Sequence, residues 1–409
     1  MDVRQVRLIT AERARAASHI APFAYLIAVA VMYGLLDHYR SATGSTLVND
    51  FICFWLAGHE ALTGGAGAIY DNTAFRAVQH PFLGEDAFFP FMYPPTFLLL
   101  VMPLGVLSFA SAYIVFMGLS LAACALAGRV IWGSWQGAFI VLSLPAVFNV
   151  LVHGQNSLLA CALLGAGLIC LQNRQMVWAG IFIGLLSFKP QFGILIPLVL
   201  IAGRYWTAFI TAAVVTLGFA GLSWAVLGTE VWVAFLAQTE FARSLLVNDF
   251  VAMYKYNTVT AALRMIGMPA GAALAVQAVV GLVLAVLTVR VWLSNAAFEA
   301  KAAVLVSASL LATPYVLSYD LVFLALPLIF ILKLASERGF KRYDQWALLA
   351  VVVLSASTRF LGSATDLPVG PLPILLMLWV SLRHTDLFGR NHAPDATVTR
   401  SGAPAVHGG

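Results

Sequence analysis

An all-α, polytopic transmembrane helical bundle is the fold class this sequence predicts, and three observations carry it. The chain of 409 residues is 61% hydrophobic and only 10% charged, where a soluble domain carries about 25% charged residues. Its mean hydropathy is +0.90. Apolar runs recur along the whole chain, many near the ~20 residues that a helix needs to cross ~30 Å of hydrocarbon. Lipid offers backbone amides no partner, so such runs fold as helices. The net charge of +5 then reflects basic loops on a cytoplasmic face and does not call for nucleic acid as a partner.

The N-terminus carries Arg4, Arg7, Arg13 and Arg15 just before the first apolar run. The positive-inside rule places residues 1–20 in the cytoplasm and sends a first helix, 22–36, outward. No small-residue cleavage site follows that helix, so it reads as an anchor and not as a signal peptide. Residues 37–94 become an external loop.

Within this loop, residues 47–95 cannot sit in hydrocarbon: Asp50, His59, Glu60, Asp71, Arg76, His80, Glu85 and Asp86 punctuate them. Val48, Phe51, Ile52, Trp55, His59 and Leu62 repeat with helical spacing, which predicts an amphipathic helix lying on the membrane surface. Asn49 is placed to cap it, and Asp50 falls in the first turn, where the helix dipole favours a carboxylate. Gly64, Gly65 and Gly67 end the helix, and Pro94-Pro95 fix an extended approach to the next one.

Further spans are predicted near 96–109, 111–130, 137–152, 156–172, 177–188, 191–203 and 205–227. A second external segment, 228–257, holds Glu230, Glu240, Arg243, Asp249, Lys255 and Tyr256. Spans near 269–293, 302–317, 320–335, 345–358 and 371–383 follow. The basic stretches at Asn173-Arg174, Arg204 and 337–342 all come out cytoplasmic if 111–130 and 137–152 together make one crossing, broken near Pro145 and Gly154. That gives about twelve crossings within a membrane domain of residues 21–385. The Ala-, Gly- and Pro-rich tail 386–409 is expected to be disordered and cytoplasmic. Cys53, Cys124, Cys161 and Cys170 show neither disulfide nor zinc spacing.

Polar residues inside apolar segments are costly and therefore functional candidates. His153-Gly-Gln155-Asn156 closes one apolar run, and its amides both donate and accept, as sugar hydroxyls require. Lys189 stands in Ser187-Phe-Lys-Pro-Gln191 between two spans. Tyr319-Asp320 and Arg359 lie at other helix ends, and the topology brings all of them to the face that carries Asp50. A carboxylate can deprotonate a hydroxyl, a lysine can hold a phosphate as a point charge, and amides with aromatics such as Tyr93 can orient a sugar. Together they suit glycosyl transfer from a lipid phosphate lying in the bilayer. A secondary transporter or lipid/sugar flippase is the alternative; the lack of an internal repeat and the gathering of polar groups at one face speak against it.

Asn49-Asp50, Gly64/Gly65 with Ile69-Tyr-Asp71, Phe91-Met-Tyr-Pro-Pro95, Gly154-Gln-Asn156 and Ala179-Gly-Ile-Phe-Ile-Gly-Leu-Leu-Ser-Phe-Lys-Pro190 resemble, in order and spacing, glycosyltransferase family 87 over residues 45–335. The resemblance implies a GT-C type fold and a polyprenyl-phosphate-mannose-dependent, inverting mannosyltransferase with no cofactor. It also implies Asp50 as general base and Lys189 as a ligand of the donor phosphate, helped by Lys255 or Arg359. His153, Gln155, Asn156, Tyr93, Tyr319 and Asp320 complete the candidate substrate contacts. No Asp-x-Asp occurs in the chain, so no metal is implied. The implied partners are the polyprenyl-phosphate sugar donor, a lipid or glycan acceptor and membrane lipids. The protein is expected to be a monomer of the bacterial inner membrane, with its site on the periplasmic side.

Overall fold

A computed structural model describes residues 11–43, 50–84, 87–248, 251–385 and 387. The predicted cap Asn49, the acids Glu85, Asp86 and Asp249, Arg4 and Arg7, and all of the tail but residue 387 lie outside the described residues. Among those described the chain is helical, with one isolated antiparallel bridge between Tyr256 and Leu317.

Helix α1 (Ala11–Thr43) leads into α2 (Phe51–Leu62) and α3 (Asn72–Leu83), which lie within the first loop. A short α4 (Pro95–Val101) precedes α5 (Phe109–Trp132), then α6 (Trp135–Leu142) and α7 (Pro145–His153). The middle of the chain holds α8 (Ser157–Gln172), α9 (Met176–Leu185), α10 (Ile196–Ala202), α11 (Trp206–Leu227) and α12 (Thr229–Val247). Then follow α13 (Val259–Met265), α14 (Ala270–Leu293), α15 (Phe298–Ala312), α16 (Ala325–Arg338), α17 (Asp344–Thr365) and α18 (Leu372–Arg383).

Six helices are long and apolar enough to cross a membrane, or seven if α6 and α7 count as one span bent by 66°. The count of twelve crossings is therefore not supported: several runs counted as spans fold as helices of 10–17 residues. Of the two segments expected to share a crossing, 111–130 lies within α5, an unbroken helix of 24 residues. The break expected near Pro145 is present in the second: α6 and α7 meet there at 66°, as a broken span or a re-entrant loop, and proline opens the second helix.

Burial separates the helices into layers. The span Ser318–Arg338, which contains α16, is 83% buried and forms the centre, flanked by the largely buried α8 and α15. By contrast α1 and α11 are only 11% buried. Ile210, Val214 and Leu217 of α11 point outward, as lipid-facing residues do. Helix α11 is held against α9 by close backbone approach. A Cβ at Gly180 would fall 2.5 Å from Thr211 Cβ, and one at Gly184 would fall 2.7 Å from Val215 Cβ. This is the small-xxx-small device by which helices associate where hydrophobicity supplies no drive.

Helix α2 exists as predicted, and most of it is covered by protein. Phe51, Ile52, Cys53, Phe54, Leu56, Ala57 and Gly58 are all buried by protein, and only its last turn is exposed. The reason is an aromatic cluster: Phe54 packs on Tyr93 and Phe97 at centroid distances of 5.3 and 5.0 Å, and Phe97 stacks on Phe188 at 5.2 Å. Such pairs add about 0.5–1.5 kcal/mol each beyond area burial. They lock together three chain segments, those that carry Asp50, Tyr93 and Lys189.

Candidate active site

Asp50 stands at the N-cap position of α2 in helical conformation, and its side chain makes no capping hydrogen bond. Instead Gln155 Nε2 donates to Asp50 Oδ2 at 2.8 Å, while Tyr93 Oη donates to Gln155 Oε1 at 2.9 Å. The amide thus reads both neighbours with its two ends. Tyr93 is fixed in turn, since its carbonyl accepts from Tyr70 Oη at 2.9 Å. Burial pushes the Asp50 carboxyl above its ordinary range, opposed by the charge of His153, the Gln155 hydrogen bond and the charge of Arg359.

A second cluster lies two residues further along the same turn. Lys189 Nζ donates to Asp320 Oδ1 at 2.7 Å and to Ser157 Oγ at 2.8 Å, and Ser157 Oγ donates to Asp320 Oδ1 at 2.7 Å. Asp320 Oδ2 accepts from the backbone N–H of Leu317 at 3.0 Å. Lys189 is 2% exposed and Asp320 4%, so each neutralises the other away from water. The rings of Phe192 and Tyr319 lie 5.4 and 5.7 Å from the ammonium.

The two clusters are joined by consecutive residues. Gly154 ends α7 in left-handed conformation (φ 65°), a geometry glycine adopts without steric cost. The turn it makes sends Gln155 to Asp50 and Ser157 to the Lys189–Asp320 pair. Between them Asn156 is fully buried, beside the Tyr93 hydroxyl.

His153 and Arg359 form the third part. Arg359 Nη1 lies 3.1 Å from His153 Nε2, and His153 Nδ1 lies 2.9 Å from the carbonyl of Asn149. A guanidinium can only donate and a carbonyl can only accept, so Nε2 accepts from Arg359 in the tautomer that carries its proton on Nδ1. No carboxylate of the described residues pairs with Arg359. Both residues line a cavity of about 310 Å³ with Asn149, Ser318 and Ser363. Tyr319 reaches this group through a ring contact with His153 at 5.8 Å.

Nine of the ten predicted site residues thus fall into one connected region. Lys255 is the outlier: its chain segment pairs with 316–317, through the Tyr256–Leu317 bridge and a 2.7 Å bond from Asn257 N to Val316 O, but its ammonium joins none of the three clusters. Sequence reasoning missed Ser157, which looked like any serine opening an apolar helix; only its chain position next to Asn156 could have flagged it. A second cavity, of about 330 Å³, lies against Tyr93, Ser187, Phe188 and Trp232.

An all-helical chain with six or seven apolar spans and a buried carboxylate network is an integral membrane protein with an enzyme-like polar site. Its residues 91–314 match the family model described as glycosyltransferase family 87, more than half the chain. The chain belongs to that family, and is a membrane glycosyltransferase. No curated protein and no solved structure matches it. The transporter reading is not favoured.

Proposed function

We propose that the enzyme moves a hexose, mannose by family resemblance, from a polyprenyl phosphate to a hydroxyl of a lipid or glycan acceptor. The site would face the non-cytoplasmic side of a GT-C type bundle. Asp50 takes the acceptor proton as its oxygen attacks C1 of a β-linked sugar phosphate. The C1–O bond to phosphate breaks on the opposite face and its electron pair leaves with the phosphate. One displacement inverts the anomeric centre and yields an α-glycoside.

The observation that carries this reading is the placement of Asp50, held by an uncharged amide and felt by a guanidinium that pairs with no carboxylate among the described residues. That arrangement favours Arg359 over Lys189 as the ligand of the phosphate, since Asp320 already balances the charge of Lys189 at 2.7 Å. Lys189 and Ser157 then serve to hold the Gln155–Ser157 turn in place. The test is transfer from radiolabelled polyprenyl-phosphate mannose by purified protein. Asp50→Asn, which can still accept from Gln155, is expected to lose activity by about 10²–10⁴-fold while melting like the parent. Full activity in that variant would remove Asp50 from the chemistry.

A further inference from the structure

Two residues beyond Lys255, Asn257 is bound to the chain segments that carry Arg359 and Asp320. Its side chain is fully buried, where an unpaired amide is costly. Only one of the two orientations of that amide gives both ends partners. In this orientation Nδ2 donates to Thr358 Oγ1 at 2.9 Å and to the Gly370 carbonyl at 3.2 Å, and Oδ1 accepts from Ser318 N at 3.3 Å. The backbone N–H of Asn257 donates to Val316 O at 2.7 Å. Thr358 precedes Arg359 in the chain, and Ser318 lines the same cavity as Arg359. One amide therefore joins two walls of that cavity.

The bond falls where α17 needs it. Ser355, Thr358 and Gly362 end the buried stripe of this helix. Gly362 approaches the same segment, since a Cβ there would fall 2.9 Å from Tyr254 Cβ. A Cβ at Gly370 would fall 2.6 Å from Tyr256 O, so residues 254–257 are gripped there too. Arg359 is exposed and stands about 100° round the helix from Thr358. Its contact with His153 Nε2 holds the tip of the guanidinium. The base of that long side chain is set by the rotation of α17, which the Asn257–Thr358 bond fixes one residue away. A satisfied buried polar network rigidifies what it joins; an apolar side chain would pack on α17 without choosing its angle.

We propose that Asn257 is a positioning residue: through Thr358 it sets the angle at which Arg359 enters the cavity, and with it the hold on the donor phosphate. The proposal rests on the transferase reading for the donor, while the placement of Arg359 can be measured without it.

Replacing Asn257 itself would also strip Ser318 N and the Gly370 carbonyl of a partner, so the test removes the Thr358 hydroxyl instead. It uses the full chain in lipid nanodiscs and compares Thr358→Val, similar in shape, with Thr358→Ser, which keeps the hydroxyl. A misplacement of about 1 Å can cost as much as 10²-fold. Thr358→Val is expected to raise KM for radiolabelled polyprenyl-phosphate mannose about tenfold with kcat held within about twofold, and Thr358→Ser to restore it. In an Arg359→Gln background Thr358→Val should raise KM no further, because the group it positions is gone. A lower melting temperature with no split of KM from kcat, or a KM effect of equal size in both backgrounds, overturns the proposal. Placement is read directly in Arg359→Cys protein, whose four native cysteines are buried. Adding Thr358→Val should change the rate at which a water-soluble maleimide alkylates residue 359 by about threefold or more; an unchanged rate overturns the proposal as well. Were that rate to change while Arg359→Gln left the donor KM untouched, the phosphate reading would fail and the positioning would stand.

Discussion

Asp50 and Lys189 show how one buried turn sets two charged side chains to different work. The Asp50 carboxyl is raised by burial, so it protonates at a higher pH than the ordinary aspartate value of about 3.9, and a protonated base accepts nothing. The acid limb of kcat/KM should therefore lie above that value. Gln155→Leu removes a hydrogen bond that favours the ionised form, so the limb should move further up in pH, at constant buffer and salt. A limb that moves down would show that Gln155 is not bonded to the ionised carboxylate. Lys189 and Asp320 are legible as polar residues in apolar segments, but their pairing is not, because 131 residues separate them. With its partner left buried and unpaired, Lys189→Met should destabilise by about 3–5 kcal/mol, and adding Asp320→Leu should recover much of that. Thermal unfolding in detergent measures both; equal and additive losses would mean the pair is not coupled.

At the scale of elements, what placed these groups is helix breakage and close packing. Apolar periodicity located nearly every helix, yet it set the lengths poorly, since a run of apolar residues does not reveal where proline or a left-handed glycine stops it. Pro145 and Gly154 were visible as breakers, and α7 opens at the one and ends at the other. The cover over the helix at 51–62 was hidden for a related reason. An amphipathic stripe shows which face is apolar but not that Phe109 and Phe116 will pack on Phe51. The Gly180/Gly184 seam carries its own prediction. Gly184→Val puts branched bulk where even a Cβ would fall 2.8 Å from the Ala212 carbonyl. It should push α11 from α9 and cost about 1–3 kcal/mol. The Gly184 carbonyl also accepts from Thr216 Oγ1 at 3.3 Å across the seam; thermal unfolding in detergent measures the loss, and an unchanged melting temperature would mean that the two helices are not held this closely.

For the whole molecule, the gathering of polar residues at one end was readable from the sequence, and the number of crossings was not. Orientation follows from α17, whose 22 residues make a rod of about 33 Å, enough to cross the hydrocarbon core. The exposed basic residues Arg338, Lys341 and Arg342 precede its start. Arg359 lies 15 residues after Asp344, about 22 Å along the rod, so the site occupies the end away from the basic loop. If positive charge marks the cytoplasm, the acceptor and the donor phosphate are met on the other side. All four native cysteines are buried, which leaves single introduced thiols readable. In spheroplasts Thr365→Cys should react with a membrane-impermeant maleimide, and Arg342→Cys should react only after permeabilisation. The reverse pattern would turn the site to the cytoplasm, where nucleotide sugars are at hand, and a donor carried on polyprenyl phosphate would lose its rationale.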